Sequence, residues 1–453
     1  MTYMTKENAL VFAYERINKY SVNVLIAALE AGGLDRELML LHTGINEVFR
    51  ILKQLRERFK RVILAVPLMT TQVPSVIKVL TRATELARKL GVLSIAGGPH
   101  PSGDPYGTVL ALGFDVAFIG EAEESLTEFV SKYIDGYDPL TVKGIAYWDG
   151  NRVVITGRRL VKDVNDYPPF SVKSSLFNPI EITRGCPFAC KYCQVSYIFG
   201  TKLRHRSAES IARYAGLLVK RGIRDIRFIT PSFLSYGSSG RRVNLNALNE
   251  LVEKLQVIRE RGGRVFAGTF PSEVRPEHIS EESVKVIKGR VDNKRIVLGA
   301  QTGSNRLLRL MNRGHDAEDV INAVRILKSE GFNVDVDYIF GIPGEEAEDV
   351  ELTLSHIERV VSLGGRVHAH VFLPLPGTPY SFAPPGTIRP RVRRAINKLL
   401  GKGLLYGQWM KQERLAKEIA RLRDSGVIII TAERARKLVG SGLKAHSGVS
   451  APR

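Results

Sequence analysis

The stretch "EITRGCPFACKYCQVSYIFG", residues 181–200, holds every cysteine of the chain: Cys186, Cys190 and Cys193. Three thiols within eight positions cannot build a disulfide framework, and thiolates this close together invite a metal. A closed structural zinc site needs four ligands, so His205 would have to join the three cysteines. An iron-sulfur cube held by three thiolates would instead keep one iron open. Gly185 lets the backbone turn where a Cβ would hinder it, Pro187 stiffens the loop, and Arg184 is placed to offset negative charge on it.

The residues around the cysteines set the fold. Residues 180–183 read as a strand that delivers the loop, and strand-like runs recur at 226–229, 265–267, 296–298, 334–339 and 367–372. Stretches with helical spacing separate them, at 209–219, 245–261, 318–329 and 348–363. Six βα units are too few for a closed eight-stranded barrel and predict a partial (β/α)6 barrel over residues 176–380, with its chemistry at the carboxyl ends of the strands. Glu345, Glu346, Glu348 and Asp349 crowd the first turn of one of these helices, where they meet its positive end. His368, His370 and Phe372 fall on one face of the last strand, because side chains alternate.

Residues 1–138 alternate apolar runs (9–13, 38–41, 62–66, 92–96, 116–119) with helical stretches (22–31, 48–59, 77–90), the pattern of a doubly wound parallel sheet. The strand ends are rich in small and polar residues, including Gly97 and Gly98. Residues 139–175 read as a linker with a hairpin around Asp149 and Gly150. Residues 381–453 form a mostly helical extension with sixteen Lys and Arg against four Asp and Glu, a large share of the +20 formal charge. That excess suits a polyanion such as RNA, and the final "SGLKAHSGVSAPR" (441–453) reads as disordered. The apolar runs are far short of the roughly 20 residues a membrane helix needs. The opening lacks the regions of a secretory signal, so the expected setting is a reducing cytoplasm without membrane attachment.

With Tyr192 directly before Cys193, the loop resembles the radical S-adenosylmethionine (SAM) superfamily, whose motif is C-x3-C-x2-C with an aromatic residue before the last cysteine. The resemblance implies that Cys186, Cys190 and Cys193 hold a 4Fe-4S cluster and that Tyr192 packs near the adenine of SAM. "LGAQTGSNRLLRLMNRGH" (298–315), "VDYIFGIPGE" (336–345) and "HVFLPLPGTPY" (370–380) look like the strand ends of the methylthiotransferase branch. Carried over, Gln301, Ser304 and Arg313 contact the cosubstrate or line its cavity, and Thr230 and Ser232 lie where a polar loop meets the methionyl amine; the alternatives are that Ser304 and Asn305 cap a helix and that Arg313 lies on the surface. Methylthiotransferases carry three further cysteines in an N-terminal domain. This chain has none, which argues against sulfur insertion.

"GGPHPSGDPYGTVLALGFDVAFIGEAEESL" (97–126) instead resembles a cobalamin-binding domain, whose corrinoid lies against the strand ends with its nucleotide tail past Gly97 and Gly98. The chain as a whole is similar to an uncharacterised archaeal group that joins the two modules. It departs from the cobalamin pattern in one respect: "YERINKYS" (14–21) replaces the Asp-x-His-x-x-Gly loop that supplies a histidine to cobalt. The resemblance implies a radical SAM enzyme acting as a cobalamin-dependent methyltransferase on a small molecule or RNA, with a ferredoxin or flavodoxin as electron donor. The alternatives are a cobalamin-independent radical enzyme of the same cluster chemistry and an RNA-binding protein with a structural metal.

Overall fold

The computed structural model describes residues 6–442. Five strands, β1 (Asn8–Ala13), β2 (Leu38–Thr43), β3 (Arg61–Pro67), β4 (Leu93–Gly97) and β5 (Val116–Phe118), pair in parallel in the order β2-β1-β3-β4-β5. Alternation along the strands sends Val11, Val62 and Leu64 into a core with Leu52 and Leu80 on one face. Leu10, Phe12 and Ile63 meet Ile26, Leu29 and Phe129 on the other. Burial on both faces is why these strands are continuous apolar runs. The order reverses between β1 and β3, which opens a crevice at the strand ends. The hairpin expected as a linker continues this sheet: β6 (Ile145–Trp148) pairs antiparallel with β5, and β7 (Val153–Ile155) pairs with β6.

The second layer system begins with β8 (Ile180–Glu181) and β9 (Thr183–Arg184), the latter paired with β10 (Arg204–His205). It continues through β11 (Asp225–Ile229), β12 (Arg264–Phe266), β13 (Arg295–Gln301), β14 (Asn333–Phe340) and β15 (Arg366–Val371). Strands β8, β11 and β12 form one parallel set and β13, β14 and β15 another. Residues 268–274 join the two sets, through Val297 N to Gly268 O (2.8 Å) and Val274 N to Val297 O (2.9 Å). A short seventh parallel strand, β16 (Leu405–Tyr406), comes from the C-terminal extension and pairs with β15. Val334, Val336, Tyr338 and Phe340 of β14 enter the core shared with the helices. Asp335 and Asp337 therefore face the barrel interior.

The extension is a strap across both units. Its helix Trp409–Asp424 reaches the barrel through Gln412 and the N-terminal core through Ile419 and Leu422, and Ile428 follows into the same core. Many of its cations have partners: Arg391 with Glu351, Arg393 with Glu413, and Lys437 with Glu433. The final segment expected to be disordered lies, from residue 443, outside the described residues. Among the described residues no helix is long and apolar enough to cross a membrane.

Asp104, fully buried after β4, pins the strap. Its carboxylate accepts from the backbone N–H groups of Ile429 (3.0 Å), Ile430 (2.7 Å) and Gly107 (2.9 Å). Asp104→Ala leaves three buried donors unpaired at about 1–3 kcal/mol each. It should lower stability by at least about 3 kcal/mol in chemical denaturation and expose the strap to protease.

Candidate active site

The cysteine loop runs from β9 to the helix Val195–Phe199 and is held by its own backbone. Cys186 N donates to Gly200 O (3.0 Å), Cys193 N to Cys190 O (3.0 Å), and Lys191 N to Met311 O (3.0 Å). Gly185 sits at φ +89°, and a Cβ there would lie 2.2 Å from Lys202 O. Cys190 is buried, and Cys186 and Cys193 are half-buried. Burial and the neighbouring thiols push the Cys193 thiol up to about 12. A cationic centre at the loop would reverse that by stabilising the thiolate.

The donor set fits an iron-sulfur cube better than zinc. Two Zn–S bonds of about 2.3 Å at a tetrahedral angle place sulfurs about 3.8 Å apart. Among the described residues, the cysteines do not form a group whose ligand atoms all lie within 4.8 Å of one another. His205 is also committed elsewhere: its Nδ1 meets Thr183 Oγ1 (3.0 Å) and its Nε2 meets Ser238 O (2.9 Å).

Two buried guanidinium groups back the loop. Arg313 Nη1 lies 3.8 Å from Cys190 Sγ, while its Nη2 donates to Gly299 O (2.7 Å). Arg275 stacks 3.3 Å over the Phe188 ring, pairs with Glu277 and donates to Arg313 O. Arg184, read from sequence as the residue offsetting charge at the loop, faces away into an ion cluster described below. Arg275 was not legible in the sequence, because it follows a strand that carries no motif.

The other expected residues divide. Tyr192 is packed with Leu307, Leu308, Met311 and Ile342, and burial raises its hydroxyl far above the ordinary value. Gln301 lies beside Arg313 at a bulge in β13, with a left-handed φ of +73° that a non-glycine residue adopts only where its surroundings enforce it. Thr230 Oγ1 donates to Ser232 O (3.1 Å), and Ser232 Oγ accepts from Arg275 N (3.4 Å), so both belong to the shell around that arginine. Ser304 is instead the N-cap of the helix Asn305–Leu310. Its hydroxyl accepts from Leu307 N and donates to Asp349 (2.5 Å). The acidic first turn is structural as read: Glu346 and Asp349 form a capping box on the helix Ala347–Ser362.

Gly98 lies on the seam between sheet and barrel. It lines an open cleft of about 200 Å³ with Ser21, Gly120, Ala122, Ile198 and Phe199. Gly97 lines an adjoining slot of about 40 Å³ that reaches between the strands to Phe12, Ile95 and Phe118. Gly98 has φ +99°, and a Cβ there would come 3.1 Å from Leu68 O. A broad planar group can lie against the open cleft, whereas the slot has room for no more than a few waters. No histidine is among the residues lining either cavity. In the wall of the same cleft, Arg184 binds Glu121 (3.0 Å), Glu123 (2.6 Å) and Glu181 (2.7 Å), and Arg204 binds Glu121 (2.5 Å).

Inside the barrel, His368 Nδ1 lies 2.8 Å from Asp337 Oδ1 and His370 Nε2 lies 3.7 Å from it. Gln412 fixes the protons. Its Oε1 accepts from Val371 N (2.9 Å), so its NH2 faces His370 Nδ1 (3.2 Å) and the His370 proton sits on Nε2. His370 Nε2 lies closer to His368 Nδ1 (3.1 Å) than to the Asp337 carboxylate, so the two groups compete for its proton. Burial would raise the Asp337 carboxyl, but the hydrogen bonds from the histidines outweigh it and hold it low. Burial, with Asp337 adding to it, pushes nearby Glu273 up to about 7.

Residues 180–357 match the Radical SAM superfamily and residues 13–130 the B12 binding domain. The chain is a radical SAM enzyme carrying a B12-binding domain. Such an enzyme uses a 4Fe-4S cluster and SAM. An uncharacterised protein of Methanocaldococcus jannaschii is 23% identical over 73% of this chain and 75% of its own length. A tRNA-2-methylthio-N(6)-dimethylallyladenosine synthase of Ehrlichia ruminantium is 31% identical over 49% of each chain. The fold is that of the radical SAM methyltransferase TsrM from Kitasatospora setae, solved with cobalamin and a 4Fe-4S cluster, at TM-score 0.67 and 17% identity over 84% of this chain and 78% of that one.

Two outcomes test this geometry. Arg184→Met leaves buried Glu123 without its partner and removes one partner each from Glu121 and Glu181, and should cost about 3–5 kcal/mol in denaturant unfolding. Glu273 is protonated in both the folded and unfolded states well below its ordinary value of 4.5, and between 4.5 and about 7 only the folded chain keeps the proton. Stability should fall with rising pH across that window, and Glu273→Gln should remove the fall, at most about 3 kcal/mol in pH-dependent melts.

Proposed function

We propose that this radical SAM enzyme is a cobalamin-dependent methyltransferase. The observation that carries the reading is the glycine-lined cleft and slot on the seam, directly beside the cysteine loop. When bound, the cluster with SAM supplies a 5′-deoxyadenosyl radical, and a corrinoid supplies the methyl group. Cys186, Cys190 and Cys193 would hold the cluster, leaving one iron for SAM. Arg313 and Arg275 would lower the cost of gathering negative charge in a buried loop. Tyr192 would wall the adenine side, and Gln301 would line the cosubstrate cavity.

The chain's own part in the reaction is placement and exclusion. Phe199 and Ile198 shield the seam from water, and the carboxylates of Asp337 and Glu273 line the barrel interior beside the histidines. That lining favours a substrate that presents N–H or O–H donors to the barrel mouth. The relatives include an uncharacterised methyltransferase of Pyrococcus horikoshii, 25% identical over 59% of this chain, which supports the same class.

Anaerobically purified protein should hold about four irons and one corrinoid per chain. On reduction with SAM, and without any substrate, it should form S-adenosylhomocysteine equal to the corrinoid. Gly97→Phe, which fills the slot, should abolish corrinoid retention while iron content stays unchanged. Corrinoid-free wild-type protein that still binds its cluster would contradict the reading.

A further inference from the structure

Inside the barrel, atoms of three residues meet at one place. Asp337 Oδ1 lies 2.8 Å from His368 Nδ1, which lies 3.1 Å from His370 Nε2, and the third side of the triangle is 3.7 Å. Among the described residues they are the one set of three such ligand atoms within 4.8 Å of one another. Parallel pairing sets Asp337 of β14 beside His368 of β15, and alternation brings His370 to the same face. The Tyr406 ring stacks 4.3 Å from that of His368 and holds its plane. Protons do not reconcile these contacts. Gln412 puts the His370 proton on Nε2, which faces His368 Nδ1. With the His368 proton on Nδ1, two N–H groups meet head-on at 3.1 Å; with it on Nε2, the Nδ1 lone pair faces the Asp337 carboxylate at 2.8 Å. Half-buried Glu273 stands nearby, a second carboxyl with no side-chain partner among the described residues.

We infer that Asp337, His368 and His370 bind one divalent transition-metal ion inside the barrel. Bonds of about 2.0–2.2 Å from imidazole nitrogen and carboxylate oxygen put neighbouring ligand atoms about 3.0–3.5 Å apart, and the triangle brackets that spacing as it stands. All three atoms then offer lone pairs to one charge, which removes the conflict between their protons. Two imidazoles with one carboxylate suit zinc, iron or cobalt rather than magnesium or calcium, which favour oxygen shells. Three protein ligands leave coordination positions open. A substrate hydroxyl can place its oxygen on the ion and its proton on Glu273. The ion site itself goes beyond the methyltransferase reading and does not depend on it; only its use by a substrate does. Gln412 sets the affinity. An ion on Nε2 sends the His370 proton to Nδ1, against the Gln412 NH2, so the amide has to turn over and give up its bond from Val371 N. Outer partners of a metal-bound histidine shift affinity by about 10–100-fold.

The test uses the full anaerobic holoenzyme with zinc as the probe. The protein is dialysed against buffered micromolar zinc, and zinc, iron and corrinoid are counted in the same samples. Wild type should hold about one zinc per chain, and His368→Ala/His370→Ala should hold none while iron and corrinoid stay unchanged. X-ray absorption at the zinc edge should show nitrogen and oxygen at about 2.0–2.2 Å, imidazole scattering, and no sulfur at about 2.3 Å. Gln412→Glu, whose carboxylate accepts from both Val371 N and His370 Nδ1, should tighten zinc binding at least tenfold, a gain that a purely structural role would not produce. Wild-type protein without zinc, zinc unchanged in the double variant, sulfur in the first shell, or Gln412→Glu binding no tighter than wild type would overturn the site and leave the methyltransferase reading standing. Corrinoid-free protein with one zinc on nitrogen and oxygen would overturn that reading and leave the site.

Discussion

Two guanidinium groups hold the molecule's geometry together. Arg184 and Arg204, both on the strands that flank the cysteine loop, share the carboxylates of Glu121, Glu123 and Glu181 across the seam between sheet and barrel. Glu121 and Glu123 belong to the turn after β5, so the cluster ties a strand end of one unit to the first strands of the other. Taking such charges out of water is costly, and the arrangement persists because each guanidinium nitrogen of Arg184 has an oxygen partner within 3.0 Å. The consequence is a fixed distance between the glycine-lined cleft and the cysteines. A reaction that moves a group between two large cofactors needs that distance to be set before either binds.

The strap reinforces the same constraint from the opposite side. Asp104 anchors it to the N-terminal unit and Gln412 to the barrel, and the same Gln412 amide dictates the proton position on His370. A segment that looks like a charged tail thereby controls the hydrogen bonding inside the barrel. Gly103, beside Asp104, approaches Pro376 so closely that a Cβ would lie 2.3 Å from its carbonyl oxygen, which brings the barrel's last loop against the sheet.

The sequence was most informative where chemistry is local. Three cysteines and a tyrosine in eight positions, and apolar runs alternating with helical spacing, made the loop, both units and the glycine turn at Gly185 legible before any coordinates. What stayed hidden was pairing across distance. Arg184 looked like a partner for the cysteines because it is adjacent to them, whereas the acids that bind it are about sixty residues away or on the strand before it. Arg275 carries no motif yet stands behind the loop with Arg313. The basic extension read as a helical segment suited to a polyanion, because net charge says nothing of Ile419, Leu422 and Ile428, which pack it into the N-terminal core.

The central claim is that three thiolates leave one metal site open for SAM, and its most direct measurement is electron–nuclear double resonance on the reduced, anaerobically reconstituted protein with SAM labelled at the amino nitrogen and carboxylate carbon. The account predicts hyperfine coupling from both labels, showing that the amino acid end of SAM is bound directly to one iron, with Cys190→Ala losing the signal. A cluster or single ion with four protein ligands and no coupling to either label would contradict it.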